Sequence, residues 1–84
     1  MTNVMFVFRE SASEQDQNRI VKRVLSMPGV RAAGRISPNA TKPVLRRLWY
    51  AEVADQSVAE QVIGSLRASD KVQSAELPAP RRLV

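Results

Sequence analysis

Two stretches of helical periodicity, each set between two strand-like runs, constrain this chain more than any other feature. The first carries Ile20, Val21, Val24 and Leu25 on one side and Arg19, Lys22 and Arg23 on the other. The second carries Val58, Val62, Ile63 and Leu66 on one stripe. Each stripe needs an apolar surface to cover, and the neighbouring runs supply it. Val4 to Arg9 alternates, with Phe6 and Phe8 on one side. Val30 to Ile36, Val44 to Ala54 and Val72 to Leu77 read as three further strands. Ser37 to Pro43 is turn chemistry throughout and predicts an exposed hairpin loop.

The helix ends are marked as well. Ser11 with Glu14 offers a capping box for the first helix, and Ser13 with Asp16 offers a second start. Ser57 with Glu60 offers one for the second helix. Met27-Pro28-Gly29 ends the first helix, because Pro28 disfavours helical backbone at Met27 and Gly29 can take positive φ. The resulting order, β-α-β-β-α-β in 84 residues, predicts an α+β fold of ferredoxin-like topology. That is a four-stranded antiparallel sheet with two helices on one face. Residues 1–77 form the single domain. Residues 78–84 form an extended tail, because Pro78 and Pro80 oppose both helix and ladder bonding.

With both helices on one face, the other face of the sheet stays open. Strand alternation assigns Val4, Phe6, Phe8, Trp49, Ala51 and Val53 to the core. It assigns Met5, Val7, Arg9, Leu48, Tyr50 and Glu52 to the open face. In the second strand, Val30, Ala32 and Ile36 are expected inside, with Arg31, Ala33 and Arg35 outside. The open face then presents a patch of Met5, Val7, Leu48 and Tyr50 rimmed by Arg9, Arg31 and Arg35, the make-up of a protein-docking surface.

Little catalytic chemistry is available. The chain has no histidine and no cysteine. That removes a Ser-His-Asp triad, thiolate metal sites and cysteine nucleophiles. The carboxylates read as caps, helix surface and turns, and Gly29, Gly34 and Gly64 form no phosphate loop. Acylphosphatases share this topology but need a Gly-rich, Arg-bearing loop after the first strand, where this chain has Glu10-Ser11-Ala12-Ser13. We therefore expect a non-enzyme with no cofactor. No run is long enough to span a membrane, and no signal peptide is visible, so the expected address is cytoplasmic.

The net charge of +5 is unevenly spread. Nine Lys/Arg face three acids between Arg9 and Arg47, against four and five from Leu48 onward. A second class of function follows, binding of nucleic acid through Arg9, Arg31, Arg35, Arg46 and Arg47 in the manner of a small ribosomal protein. Against it, base stacking needs two or three aromatics on the open face. Tyr50 is the single one expected there.

Two segments resemble subtilisin propeptides and the related free-standing inhibitors of subtilisin-like proteases. Phe6-Val7-Phe8-Arg9-Glu10 is similar to their opening strand. The run from Val58 through Leu66-Arg67-Ala68-Ser69-Asp70 to Val72-Gln73-Ser74-Ala75-Glu76-Leu77-Pro78 is similar to their closing helix, turn and strand. The third strand departs from that family, since no Asn-Gly precedes Leu48-Trp49-Tyr50-Ala51-Glu52-Val53. The resemblance implies a free-standing inhibitor or folding partner. Its open face, through Met5, Val7, Leu48 and Tyr50, would dock on the protease. Its tail, Arg81-Arg82-Leu83-Val84, would lie in the substrate cleft as an added strand. The remaining reading is a homodimerising domain. The arginine rim argues for a monomer or weak dimer and for a partner with a more acidic surface.

Overall fold

A computed structural model describes residues 2–77. Seven elements follow one another: β1 (Thr2–Phe8), α1 (Glu14–Leu25), β2 (Val30–Arg35), α2 (Pro43–Arg46), β3 (Leu48–Val53), α3 (Gln56–Arg67) and β4 (Val72–Glu76). The strands form one sheet in the order β2-β3-β1-β4, and every neighbouring pair is antiparallel. This is the expected ferredoxin-like α+β arrangement.

One core joins the two long helices to one face of the sheet. Val4, Phe6 and Phe8 of β1 and Trp49, Ala51 and Val53 of β3 are buried, as alternation requires. Ile20, Val21 and Val24 come down from α1, and Ala59, Val62 and Leu66 from α3. Val72 and Ala75 complete the cluster from β4. Phe6, Phe8 and Trp49 meet edge to face, with ring centroids 5.6 and 6.2 Å apart, a favoured aromatic geometry. Leu25, expected on the α1 stripe, is 43% exposed, because the helix ends there and turns away at Ser26.

The caps choose among the sequence signals. Helix α1 starts from Ser13. The Ser13 Oγ accepts from the Asp16 N–H at 3.0 Å, and Asp16 Oδ2 accepts from the Ser13 N–H at 3.1 Å. The Ser11 start is not used. Helix α3 is capped by Asp55, whose Oδ1 accepts from the Val58 N–H at 3.0 Å, so the Ser57–Glu60 box is also unused. Both cases follow from one fact: the extended residue immediately before the helix does the capping.

Two departures lie around β2. Its pairing with β3 passes from Val30↔Val53 to Ala32↔Glu52, so Arg31 is an extra residue in a bulge. Everything after it changes face. Ala33 pairs with Ala51 and packs on the core, while Ala32 and Gly34 oppose Glu52 and Tyr50 of the open face. The second departure is Val44 to Arg47, expected as strand. It is the one-turn helix α2 and its C-cap. Pro43 sits at the start of that turn, where its fixed φ suits a helix and its missing N–H costs nothing.

Two glycines make opposite predictions. Gly29 has φ +87°, and a Cβ there would lie 2.6 Å from Val58 Cγ2. Gly64 lies within α3 and has nothing within 4 Å of the same position. Gly29→Ala should cost more than the ~1–2 kcal/mol of the backbone conformation alone. Gly64→Ala should stabilise by about 1 kcal/mol. Urea denaturation midpoints should therefore move in opposite directions; a shared direction would contradict the assigned roles.

Candidate functional site

The face of the sheet turned away from the helices is the main candidate surface, and its layout follows from register. Met5 is paired with Tyr50, and Val7 with Leu48. Gly34 lies beyond Tyr50 on β2, and Glu76 beyond Met5 on β4. Met5, Val7, Leu48 and Tyr50 are all half-buried. The expected patch therefore exists as four adjoining side chains on the two central strands. Ile36 joins it. Its N–H donates to the Leu48 carbonyl at 3.1 Å, and it is 38% exposed rather than in the core. The reason is the bulge at Arg31, which reverses the parity of the residues that follow.

Gly34 has a specific use here. A Cβ on it would lie 3.3 Å from Tyr50 Cε1 and 3.4 Å from its hydroxyl oxygen. The tyrosine ring thus leans across the glycine, covering backbone that a side chain would otherwise shield. Tyr50 is the aromatic of this face, and part of its ring surface is already used within the sheet.

The expected basic rim does not form. Arg35 pairs opposite Trp49 and stands on the helix side of the sheet. Its guanidinium carbon lies 5.0 Å from the Trp49 ring centroid, a cation–π contact. Its Nη2 is 3.3 Å from Glu14 Oε1. Arg46 of α2 donates to the same carboxylate oxygen at 2.5 Å. Arg47 stands at the C-cap of α2, and its carbonyl accepts from the Phe8 N–H at 3.0 Å. Its Nε is buried without a hydrogen-bond partner among the described residues. Arg9 is exposed just past β1, and Arg31 is exposed in the bulge. Of the five arginines considered for nucleic acid, Arg35, Arg46 and Arg47 gather on the helix side near Glu14, while Arg9 and Arg31 stand apart from them. The tail residues Arg81, Arg82, Leu83 and Val84 lie outside the described residues.

A second feature, a cleft on the helix side, escaped sequence reasoning. Glu10, Ala12, Glu14, Gln17, Pro43, Arg46 and Arg47 line a space of about 280 Å³ between the start of α1 and α2. At its base Gln17 is buried. Gln17 Nε2 donates to the Ala12 carbonyl at 3.2 Å, and Gln17 Oε1 accepts from the Trp49 indole N–H at 3.0 Å. The early carboxylates of α1 and the Pro-initiated turn were visible in the sequence. The pairing of Glu14 with Arg46, 32 residues away, was not.

Glu14 therefore clips α2 to α1. The Arg46 hydrogen bond, then the Arg35 charge, hold its carboxyl below the ordinary glutamate value of 4.5. A depressed acid stabilises the fold fully above its unfolded value, and that contribution is lost as pH falls through the lower native value. The denaturation midpoint should fall as the pH drops below about 4.5. Glu14→Gln should lower the midpoint at neutral pH, and the difference from the natural chain should shrink under acid. A difference independent of pH would remove the carboxylate from this role.

No helix among the described residues is long and apolar enough to cross a membrane. No protein-family model, no curated protein and no solved structure matches the chain.

Proposed function

We propose that the chain is a non-catalytic protein-binding module that docks through the open face of its sheet. The observation that carries this reading is the adjoining set of Met5, Val7, Leu48 and Tyr50 on the helix-free side of the central strands. Side chains of this kind in the middle of a face, with polar groups outside them, are how interface cores are built. Pairing of Arg35 and Arg46 with Glu14, away from the open face and from Arg9 and Arg31, weighs against nucleic acid, which needs unpaired charge gathered along one track.

The candidate partner is a subtilisin-like serine protease, inhibited or assisted in folding. The supports are the propeptide-like segments at Phe6 to Glu10 and Val58 to Pro78, together with the open face. In this reading Leu48, Tyr50 and Met5 dock beside the cleft, and Arg81-Arg82-Leu83-Val84 enter it as an added strand.

Inhibition assays against a panel of subtilisin-like proteases test the proposal. At least one enzyme should be inhibited. Leu48→Asp should weaken that inhibition about 30-fold or more, the scale of a central interface residue. Arg19→Ala, on the outer side of α1, should leave it unchanged. Deleting Pro80 to Val84 should abolish inhibition while retaining weaker complex formation. Digestion by every enzyme, with no inhibition and no complex, would refute the protease assignment.

A further inference from the structure

Docking through the open face leaves the cleft between the start of α1 and α2 without a role. The cleft lies on the helix side, and its lining includes two acids, Glu10 and Glu14, and two bases, Arg46 and Arg47. Glu14 and Arg46 pair with each other. Glu10 and Arg47 stay unpaired, since no ion pair among the described residues engages either side chain. One negative and one positive group thus line the same small space without meeting.

The walls of the cleft are held by bonds of the fold itself. The Phe8 N–H donates to the Arg47 carbonyl at 3.0 Å, which fixes Arg47 beside the end of β1, and Glu10 follows two residues after Phe8. The Ala12 N–H donates to the Arg9 carbonyl at 2.9 Å and closes the turn that carries Glu10. Gln17 Nε2 ties α1 to that turn through the Ala12 carbonyl. The Arg47 Nε is buried with no hydrogen-bond partner among the described residues, so packing holds the base of that guanidinium. Groups held in advance lose less freedom when a ligand arrives.

We infer that this cleft binds a free α-amino acid, with its carboxylate on Arg47 and its ammonium on Glu10. Charge selects the class of ligand. A bare anion would meet Glu10 and Glu14 as well as the arginines, and a bare cation would meet Arg46 and Arg47. Like-charge contacts disfavour both. An α-amino acid carries one charge of each sign on a single carbon and so answers both unpaired groups. Each contact is a charge-assisted hydrogen bond. Size agrees. About 280 Å³ is the share of about nine waters, which suits a ligand of about ten heavy atoms. Ala12 and Pro43 supply apolar wall for a small or medium aliphatic side chain. The inference goes beyond docking on the open face and does not rest on it.

Amide NMR titrations of the full chain with glycine, alanine, valine, leucine, methionine and phenylalanine test it. At least one should give saturable shifts at Ala12, the Gln17 side chain, Val44 and Arg47, with a dissociation constant of about 0.1–1 mM. The N-acetyl and the carboxamide forms of that amino acid each lack one charge and should bind about tenfold more weakly. Glu10→Gln and Arg47→Gln should each weaken the free amino acid by a similar factor. Arg31→Gln, on the edge strand, should leave its binding unchanged. The same spectra show whether each variant is folded, and the blocked ligands test the charge requirement on the natural chain. No saturable shift from any of the six at about 20 mM would overturn the inference. Blocked forms that bind as well as the free amino acid would also overturn it. So would folded Glu10 and Arg47 variants that bind like the natural chain.

Discussion

The indole N–H of Trp49 donates to Gln17 Oε1 at 3.0 Å, and Gln17 Nε2 donates in turn to the Ala12 carbonyl at 3.2 Å. This chain of two buried bonds ties β3 to α1 and to the loop after β1. A buried amide without its partners costs roughly 1–3 kcal/mol, so the arrangement is held against alternatives in which α1 slides or rotates. Phe8 packs edge-on against the Trp49 ring, and Arg35 stacks on that ring from β2. Glu14 accepts from Arg46 and pairs with Arg35, which brings α2 to the same place. Five elements or connections therefore converge on one tryptophan. With β1 and β3 fixed at the centre of the sheet, the positions of Met5, Val7, Leu48 and Tyr50 on the reverse side follow from pleating alone.

Most of this frame was legible because the sequence obeys simple periods where the core is deepest. β1 and β3 alternate strictly, and their inward and outward residues are those that alternation names. The stripes of α1 and α3 face the core, although Val58 and Ile63 are only partly buried, Ala59 is buried beside Val62 and Leu66, and Leu25 at the end of α1 is exposed. The turn at Gly29 also follows from Pro28 and Gly29, with φ +87° at the glycine. These features depend on neighbours within a few residues. So do the caps, yet Ser11, Ser13, Asp55 and Ser57 all had suitable chemistry. Only the backbone path into each helix distinguishes the residue that caps from one that merely resembles a cap.

What was not legible depends on distant partners. Val44-Leu45 has strand-like composition, but Pro43 begins a helical turn there, and Arg46 closes it onto Glu14. Pro43 was a usable signal; Glu14 was not. By strand propensity Gly34 weakens β2, whereas its bare backbone gives the Tyr50 ring its resting place. A propensity scale rates the glycine by itself and cannot register the ring lying over it.

One extra residue in an edge strand has the widest consequence for function. Without the bulge at Arg31, residues 32, 34 and 36 would face the core and Arg35 would stand beside Tyr50. The open face would then be cationic, suited to acidic partners and opposed to self-association. With the bulge, Arg35 is drawn to Trp49 and Glu14, where stacking and ion pairing compensate its partial burial. Ala32, Gly34 and Ile36 take the open side, and the acids Glu52 and Glu76 border the patch on β3 and β4. Net charge and its position along the chain therefore say little about the charge of a particular sheet face. On this sheet the parity of β2 sets that charge, and the parity depends on whether Arg31 is counted as paired.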